Sequence, residues 1–133
     1  MKILQLFFAG LFVCSYSYSQ TTLNVNDLQS QGDFDNSQRK KLYSDKNTTS
    51  SIVWVKKHTK AHKHVYHTVT QYVIEGEGIM TIGSQEFKVQ AGSYYVTPEN
   101  TFHSLVVTSK EPMKILTVQT PEFLGKDRVI KEK

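Results

Sequence analysis

The sequence has almost no cysteine, and this absence removes several kinds of chemistry at once. Its single cysteine, Cys14, lies in an N-terminal segment that we expect to be removed, so the mature chain would form no disulfide and offer no thiol nucleophile. The sequence also lacks a Ser-His-Asp order and a pair of carboxylates predicted to share one cavity. Any metal ligand or catalytic group must therefore come from other residue types.

Strong net charge is also missing. The 133 residues carry +4, and loss of Lys2 with the N-terminal segment would leave +3. So mild a positive charge gives no reason to expect a nucleic-acid partner.

The N-terminus has the pattern of a secretory signal peptide over residues 1–19. Lys2 precedes an apolar run at 3–14, and Ser17 and Ser19 place small residues where a signal peptidase cleaves. The run is shorter than the roughly 20 residues that cross a bilayer. A lipid anchor on Cys14 is the alternative, but Val13 is bulkier than the residue that lipoprotein processing requires. We therefore predict a periplasmic or secreted protein with no stable membrane anchor.

The rest of the chain lacks any long stretch of helical periodicity. Residues 20–50 are polar and predict a surface arm with at most one short strand. Residues 51–120 hold short β-branched and aromatic runs separated by turn residues, and Gly83 and Ser84 form a predicted hairpin turn. We predict an all-β domain, a sandwich or barrel, followed by an ordered tail at 121–133.

Histidine is what the sequence does have in a telling place. Four of the five histidines lie at positions 58, 62, 64 and 67. On a strand, His62 and His64 would point to the same face and could chelate a metal ion. Taken alone, the pair fits a solvated His/Lys face on an exposed strand better than a metal site.

Two spaced motifs extend this pattern. They comprise His62, His64, Val69 and Gly76 in the first, and Gly92, Pro98, Asn100 and His103 in the second. Their order and spacing resemble those of a small single-domain cupin (cupin_2-like), over residues 52–119. The resemblance implies a cupin-type jelly-roll barrel in which His62, His64 and His103 converge on a metal ion. Asn100 stands in place of a glycine, and we expect it to adopt the left-handed conformation.

One departure from the family pattern touches the chemistry. Cupins commonly add a glutamate ligand at the position that Val69 occupies here. Three-histidine sites exist among cupin dioxygenases, so we expect a divalent ion (Fe, Zn, Mn, Ni or Cu) on three imidazoles. His67 and Gln71 are candidates for an additional ligand or substrate contact. Cupins of the pectin-degradation type, which act on unsaturated uronates, use a glutamine ligand, but at the position of Val69.

The predicted cavity would be mostly apolar, with Val69, Tyr94, Leu105 and Gln119 among its lining residues. The lysines at 56, 57, 60 and 63 would form a basic lip that either protects a strand edge or steers an anionic substrate. The resemblance implies action on a small anionic or hydroxylated molecule, as a three-histidine dioxygenase or as a sugar-acid isomerase or lyase. A non-catalytic ligand-binding module is the alternative, and homodimers are common in the family.

Overall fold

The computed structural model describes residues 22–132 of the chain. The predicted signal peptide at 1–19 lies outside these residues. The described part contains one short 3₁₀ helix, Val25–Asp27, and ten strands. The strands are β1 Ser37–Asp45, β2 Thr48–Val55, β3 His58–His64, β4 Thr68–Glu75, β5 Glu77–Ile82, β6 Gln85–Gln90, β7 Tyr94–Thr97, β8 His103–Val107, β9 Met113–Thr120 and β10 Arg128–Ile130.

The strands form two five-stranded antiparallel sheets. One sheet has the order β1-β2-β9-β4-β7 and the other has the order β10-β3-β8-β5-β6. Consecutive strands β3 and β4 belong to different sheets, as do β7 and β8, so the chain crosses repeatedly between the two layers. This arrangement confirms the predicted all-β jelly roll.

The hydrophobic core lies between the sheets toward one end of the barrel. It consists of Val55, Val73, Met80, Val89, Leu105, Met113 and Ile115, all of them buried. Gly78 allows β5 to approach β8, because a Cβ at this position would lie 2.6 Å from the Val106 carbonyl oxygen. Packing at this end leaves the opposite end of the barrel open for a cavity.

The predicted turns are confirmed. Gly83 has φ +62° in the β5–β6 hairpin, and Asn100 has φ +56° in the turn that precedes β8. Asparagine therefore adopts the conformation for which glycine is usually required. No helix within residues 22–132 has the length and apolar character needed to cross a membrane.

The prediction that residues 20–50 form mainly a surface arm is wrong for their second half. Residues 37–45 form β1, which pairs with β2 and extends the first sheet to its edge. An edge strand has few buried positions, and most side chains of β1 are exposed or half-buried. Its sequence therefore lacks the apolar alternation by which strands are recognised. The tail beyond residue 120 is ordered, and β10 pairs with β3.

Candidate metal centre

Three buried histidines meet at the open end of the barrel. His62 and His64 lie on β3, and His103 on β8 is the direct cross-strand partner of His62. The ring centroids of His62 and His103 are 4.2 Å apart. The ring centroid of His64 lies 5.3 Å from that of His62 and 5.8 Å from that of His103. Each ring offers a nitrogen within 4.8 Å of those offered by the other two. The structure thus brings the three sequence-predicted metal ligands to one point.

Hydrogen bonds at Nδ1 fix the orientation of all three rings. His62 Nδ1 lies 2.7 Å from the Lys60 carbonyl oxygen, and His103 Nδ1 lies 3.2 Å from the Thr101 carbonyl oxygen. Because carbonyl oxygens only accept, both Nδ1 atoms must donate. His64 Nδ1 lies 3.3 Å from the Asp127 carboxylate. In this tautomer the lone pair of each neutral ring is on Nε2, as metal ligation requires.

The environment of the rings favours their neutral form. Burial, reinforced by the nearby His103, lowers the pKa of His62 to about 3, and burial lowers the pKa of His103 to about 4. Burial also lowers the pKa of His64, although the hydrogen bond that His64 donates to Asp127 opposes this shift. At neutral pH the three rings are therefore unprotonated, which leaves their lone pairs free to coordinate.

A second buried cluster supports the first from behind. The Asp127 carboxylate accepts hydrogen bonds from His64 Nδ1, from His67 Nδ1 and from the Tyr66 backbone N–H. Burial by itself would raise the pKa of Asp127, but these hydrogen bonds outweigh it and the pKa lies below its ordinary value. The Phe123 ring packs edge-on against both His64 and His67. The tail thus supplies a carboxylate that orients one of the three candidate ligands.

His67, which we predicted as an additional ligand or substrate contact, lies outside the cavity. It is only 6% exposed, and its Nε2 lies 2.9 Å from the Glu122 carbonyl oxygen. With Nδ1 held by Asp127, both ring nitrogens are already engaged, and His67 does not line the cavity. It therefore contributes to the support of the site and does not act as a fourth ligand in this arrangement.

The histidines form one side of a cavity of about 300 Å³. The opposite wall belongs to the first sheet, where cross-strand pairing sets residues in rows. One row contains Val69 of β4 beside Gln119 of β9, and the next contains Gln71 beside Thr117 on one side and Tyr95 on the other. Cross-strand partners point to the same face, so all these residues except Val69 present polar groups to the cavity.

Three of the predicted lining residues, Val69, Leu105 and Gln119, border the cavity, as does Gln71, whereas Tyr94 does not. Tyr94 is 66% exposed and pairs with the outward-facing Tyr72, whereas Tyr95 pairs with Gln71 and points inward. Which of the two adjacent tyrosines faces inward depends on how β7 pairs with β4, and the sequence of β7 alone does not determine this register. The cavity is also more polar than we predicted.

The predicted lysine lip does not border the cavity. None of the lysines at 56, 57, 60 and 63 lines it. Lys56 pairs with Asp33, and Lys63 donates to the Asn100 side-chain oxygen at 2.7 Å. The positive charges at the cavity come instead from Arg39 on β1 and Arg128 on β10. Sequence reasoning missed both, because they lie far from the histidines along the chain.

Comparisons with known proteins agree with this architecture. The chain is 33% identical over 82 residues to an uncharacterized protein of Methanocaldococcus jannaschii, covering 62% of this chain and 66% of the other. Among solved structures, it is similar to an uncharacterized conserved protein with a double-stranded β-helix domain from Klebsiella pneumoniae, with a TM-score of 0.72, 17% identity, and coverage of 86% of this chain and 100% of that one. It is also similar to KdgF from Halomonas sp., with a TM-score of 0.67, 18% identity, and coverage of 80% and 97%.

The family model for the cupin domain matches residues 51–119. That match takes in β3 with His62 and His64, the turn at Asn100, and β8 with His103. It leaves outside β1 and the tail, which supply the two arginines and Asp127. The barrel, the histidine spacing and the matched span agree, and the chain belongs to the cupin family.

Proposed function

We propose that this protein is a metal-dependent cupin whose metal ion is held by His62, His64 and His103, and that it acts on a small anionic or hydroxylated molecule in the adjoining cavity. One observation carries the proposal. All three Nδ1 atoms are hydrogen-bonded, so the three Nε2 lone pairs remain for a common ligand. Three neutral imidazoles on rigid strands would otherwise have no reason to be buried together.

The donor set fits a divalent ion of borderline character. Imidazole nitrogens suit Zn, Fe(II), Ni and Cu(II), whereas Mn usually prefers oxygen ligands. Val69 contributes no charge, so the ligand set is neutral and the full positive charge of the ion would act on a bound anion. When bound, such an ion supplies Lewis-acid polarisation of a substrate oxygen, or oxygen activation if it is iron.

The chain's own residues favour one of the two reaction classes. Gln71, Tyr95 and Gln119 give the wall opposite the histidines a set of hydrogen-bonding groups. Burial raises the pKa of Tyr95, so its phenol stays protonated and can donate a hydrogen bond. A wall of this kind suits a hydroxylated substrate, which favours a sugar-acid isomerase or lyase over a dioxygenase.

Elemental analysis of untagged protein tests the metal site. We expect about one divalent ion per chain in the wild type and its loss in a His62→Ala/His103→Ala double variant. His58→Ala is the matched control, because His58 lies on the same strand but is exposed. Iron at this stoichiometry would support the dioxygenase class, and zinc or nickel the isomerase or lyase class. Full metal content in the double variant would refute the site.

A non-catalytic binding module is the second candidate, and the cavity lining gives a reason to keep it. No aspartate or glutamate within residues 22–132 lines the cavity, so no carboxylate is placed to act as a general base. Incubation of metal-loaded protein with sugar acids in D₂O, followed by ¹H NMR, separates the two. Loss of a C–H signal or appearance of a product indicates catalysis, whereas saturable binding without any change indicates the module.

We also propose that the protein works outside the cytoplasm. The support is the N-terminal pattern of Lys2, an apolar run at 3–14 and small residues up to Ser19. Cell fractionation and N-terminal sequencing of the native protein test this proposal, and we expect a mature chain that begins near residue 20. A full-length chain in the cytoplasm would refute it.

A further inference from the structure

Two arginines border the cavity from opposite sheets. Arg39 lies on the edge strand β1, paired with Val53, and Arg128 lies on β10, paired with His64. Because cross-strand partners share a face, Arg128 points to the same side of its sheet as His64. Both residues line the cavity and are exposed to solvent, which places their guanidinium groups at its mouth.

Within the described part of the chain, no carboxylate pairs with either arginine. No acidic side chain within residues 22–132 lines the cavity, and neither arginine forms an ion pair there. Asp127, which precedes Arg128 in the sequence, accepts hydrogen bonds from His64 and His67 instead. Partial burial, and secondarily the charge of Arg128, lower the pKa of Arg39. An anion between the two guanidinium groups would offset this repulsion.

Arg39 is held in place by its own contacts. Its Nη1 donates a 2.9 Å hydrogen bond to Gln119 Oε1, and its guanidinium carbon lies 5.0 Å from the centroid of the Phe123 ring. These contacts fix the planar group at the cavity while leaving further N–H donors free. The side chain is therefore oriented before a ligand arrives, which reduces the entropy lost on binding.

Three residues that line the same cavity carry unpaired polar atoms. Gln71 Oε1, Tyr95 Oη and Gln119 Nε2 are buried without a hydrogen-bond partner among the described residues. Gln119 as a whole is only 1% exposed. Such atoms cost about 1–3 kcal/mol each when left unsatisfied. They comprise an acceptor, a donor and a hydroxyl, and ligand hydroxyl groups can pair with all three.

We infer that the cavity binds a small polyhydroxylated oxyanion, a sugar acid or a sugar phosphate, with its anionic group between Arg39 and Arg128 and its hydroxyls on Gln71, Tyr95 and Gln119. The cavity is large enough for such a ligand, because its volume of about 300 Å³ equals the liquid volume of about ten water molecules. The inference deepens the proposed function by naming the substrate class. It does not depend on the metal, because neither arginine is a metal ligand.

Isothermal titration calorimetry at 0.15 M salt tests the inference, with metal-free and metal-loaded protein measured separately. The probes are D-gluconate, D-glucose 6-phosphate, D-glucitol and hexanoate. We expect binding of gluconate or glucose 6-phosphate in both forms of the protein, and the stronger of the two identifies the anionic group. Glucitol lacks the charge and hexanoate lacks the hydroxyls, so each should bind at least tenfold more weakly.

Substitutions at the cavity mouth provide the second arm. Arg39→Gln and Arg128→Gln should each weaken binding by about 10–100-fold, the usual effect of losing a charged hydrogen bond. Lys40→Gln is the matched control, because it removes the same charge from the adjacent position of β1, which does not line the cavity, and should change affinity less than twofold. Arg39→Lys keeps the charge but loses the planar fork, so we expect an intermediate loss. Circular dichroism and metal content verify that each variant is folded.

The outcomes separate this inference from the proposed function. Arginine-dependent binding of an oxyanion to a protein that takes up no metal would support the inference and refute the metal centre. Stoichiometric metal without binding of either anion would do the reverse. Equal weakening by Lys40→Gln and by the arginine substitutions would also overturn the inference, since it would show a general charge effect instead of a site.

Discussion

Replacing Asp127 with asparagine gives a sharp test of how the tail acts on the metal centre. One carboxylate oxygen of Asp127 accepts from His64 Nδ1 at 3.3 Å, and the other accepts from His67 Nδ1 and from the Tyr66 N–H at 3.2 Å. Asparagine retains one acceptor and converts the other into a donor. If that donor faces His64, the ring must accept at Nδ1 and carry its proton on Nε2, where the metal would bind.

The expected loss follows from the cost of disturbing a carboxylate behind a histidine ligand. Such changes reduce metal affinity by about 10–100-fold, or ~1.4–2.7 kcal/mol. We expect a loss in this range for Asp127→Asn, measured by competition for zinc with a chromogenic chelator at pH 7.5. The metal-free protein should also lose about 2 kcal/mol of unfolding free energy, because a buried hydrogen-bond network is broken.

Asp33→Asn is the matched control for this change. The Asp33 side chain is 95% exposed and pairs with Lys56 at the surface, so its substitution should leave both quantities unchanged within the error of the measurement. Zinc affinity within twofold of the wild type in Asp127→Asn, together with a lowered stability, would show that Asp127 supports the fold alone. That result would refute its role in orienting His64.

Three further changes test other parts of the structure. Metal-free protein should lose about 2 kcal/mol of stability per histidine between pH 7.5 and pH 5. His62 and His103 have folded pKa values of about 3 and 4, so the unfolded chain takes up their protons first as the pH falls. Equal urea midpoints at pH 7.5 and pH 5 would contradict this. Val69→Glu should tighten zinc binding at least tenfold, because it adds a carboxylate ligand to the three histidines. It should also lower metal-free stability by about 2 kcal/mol or more, because the new carboxylate is buried without a partner. Weaker zinc binding in the same chelator assay would contradict the placement of Val69 beside the metal site. Gly78→Ala should lower the unfolding free energy by about 2 kcal/mol or more, because the new Cβ would overlap the Val106 carbonyl oxygen. A thermal melt that shows a change below about 0.5 kcal/mol would contradict this close approach.

The parts of the site that sequence reasoning found are those with short-range spacing. His62 and His64 are two residues apart, and two motifs in order link them to His103, so the sequence indicates their convergence. The turn at Asn100 follows from the conformational tolerance of its residue type. The histidine pair and the turn depend on local geometry, which a single sequence contains, whereas the place of His103 is implied by the family resemblance.

The parts that it missed depend on pairing between distant strands. Asp127 meets His64 across 63 residues, and Arg39 meets Gln119 across 80. Neither pair has a local pattern, and the inward face of Tyr95 rather than Tyr94 depends on its register with Gln71. A buried charged group in a tail without alternation gives no signal until the partner strand is known.

This division also separates two functions within the site. The candidate metal ligands lie inside the span that matches the cupin family, whereas the two arginines at the cavity and Asp127, which orients His64, lie outside it. Arg39 lies on the edge strand β1 of one sheet, and Asp127 and Arg128 lie at the start of β10, an edge strand of the other sheet. Edge strands can change without repacking the core, because they contact the rest of the barrel on one side only. Selection of the ligand can therefore vary at the two edges while the three imidazoles keep their geometry, so substitutions at Arg39 and Arg128 should alter oxyanion binding and leave metal content intact.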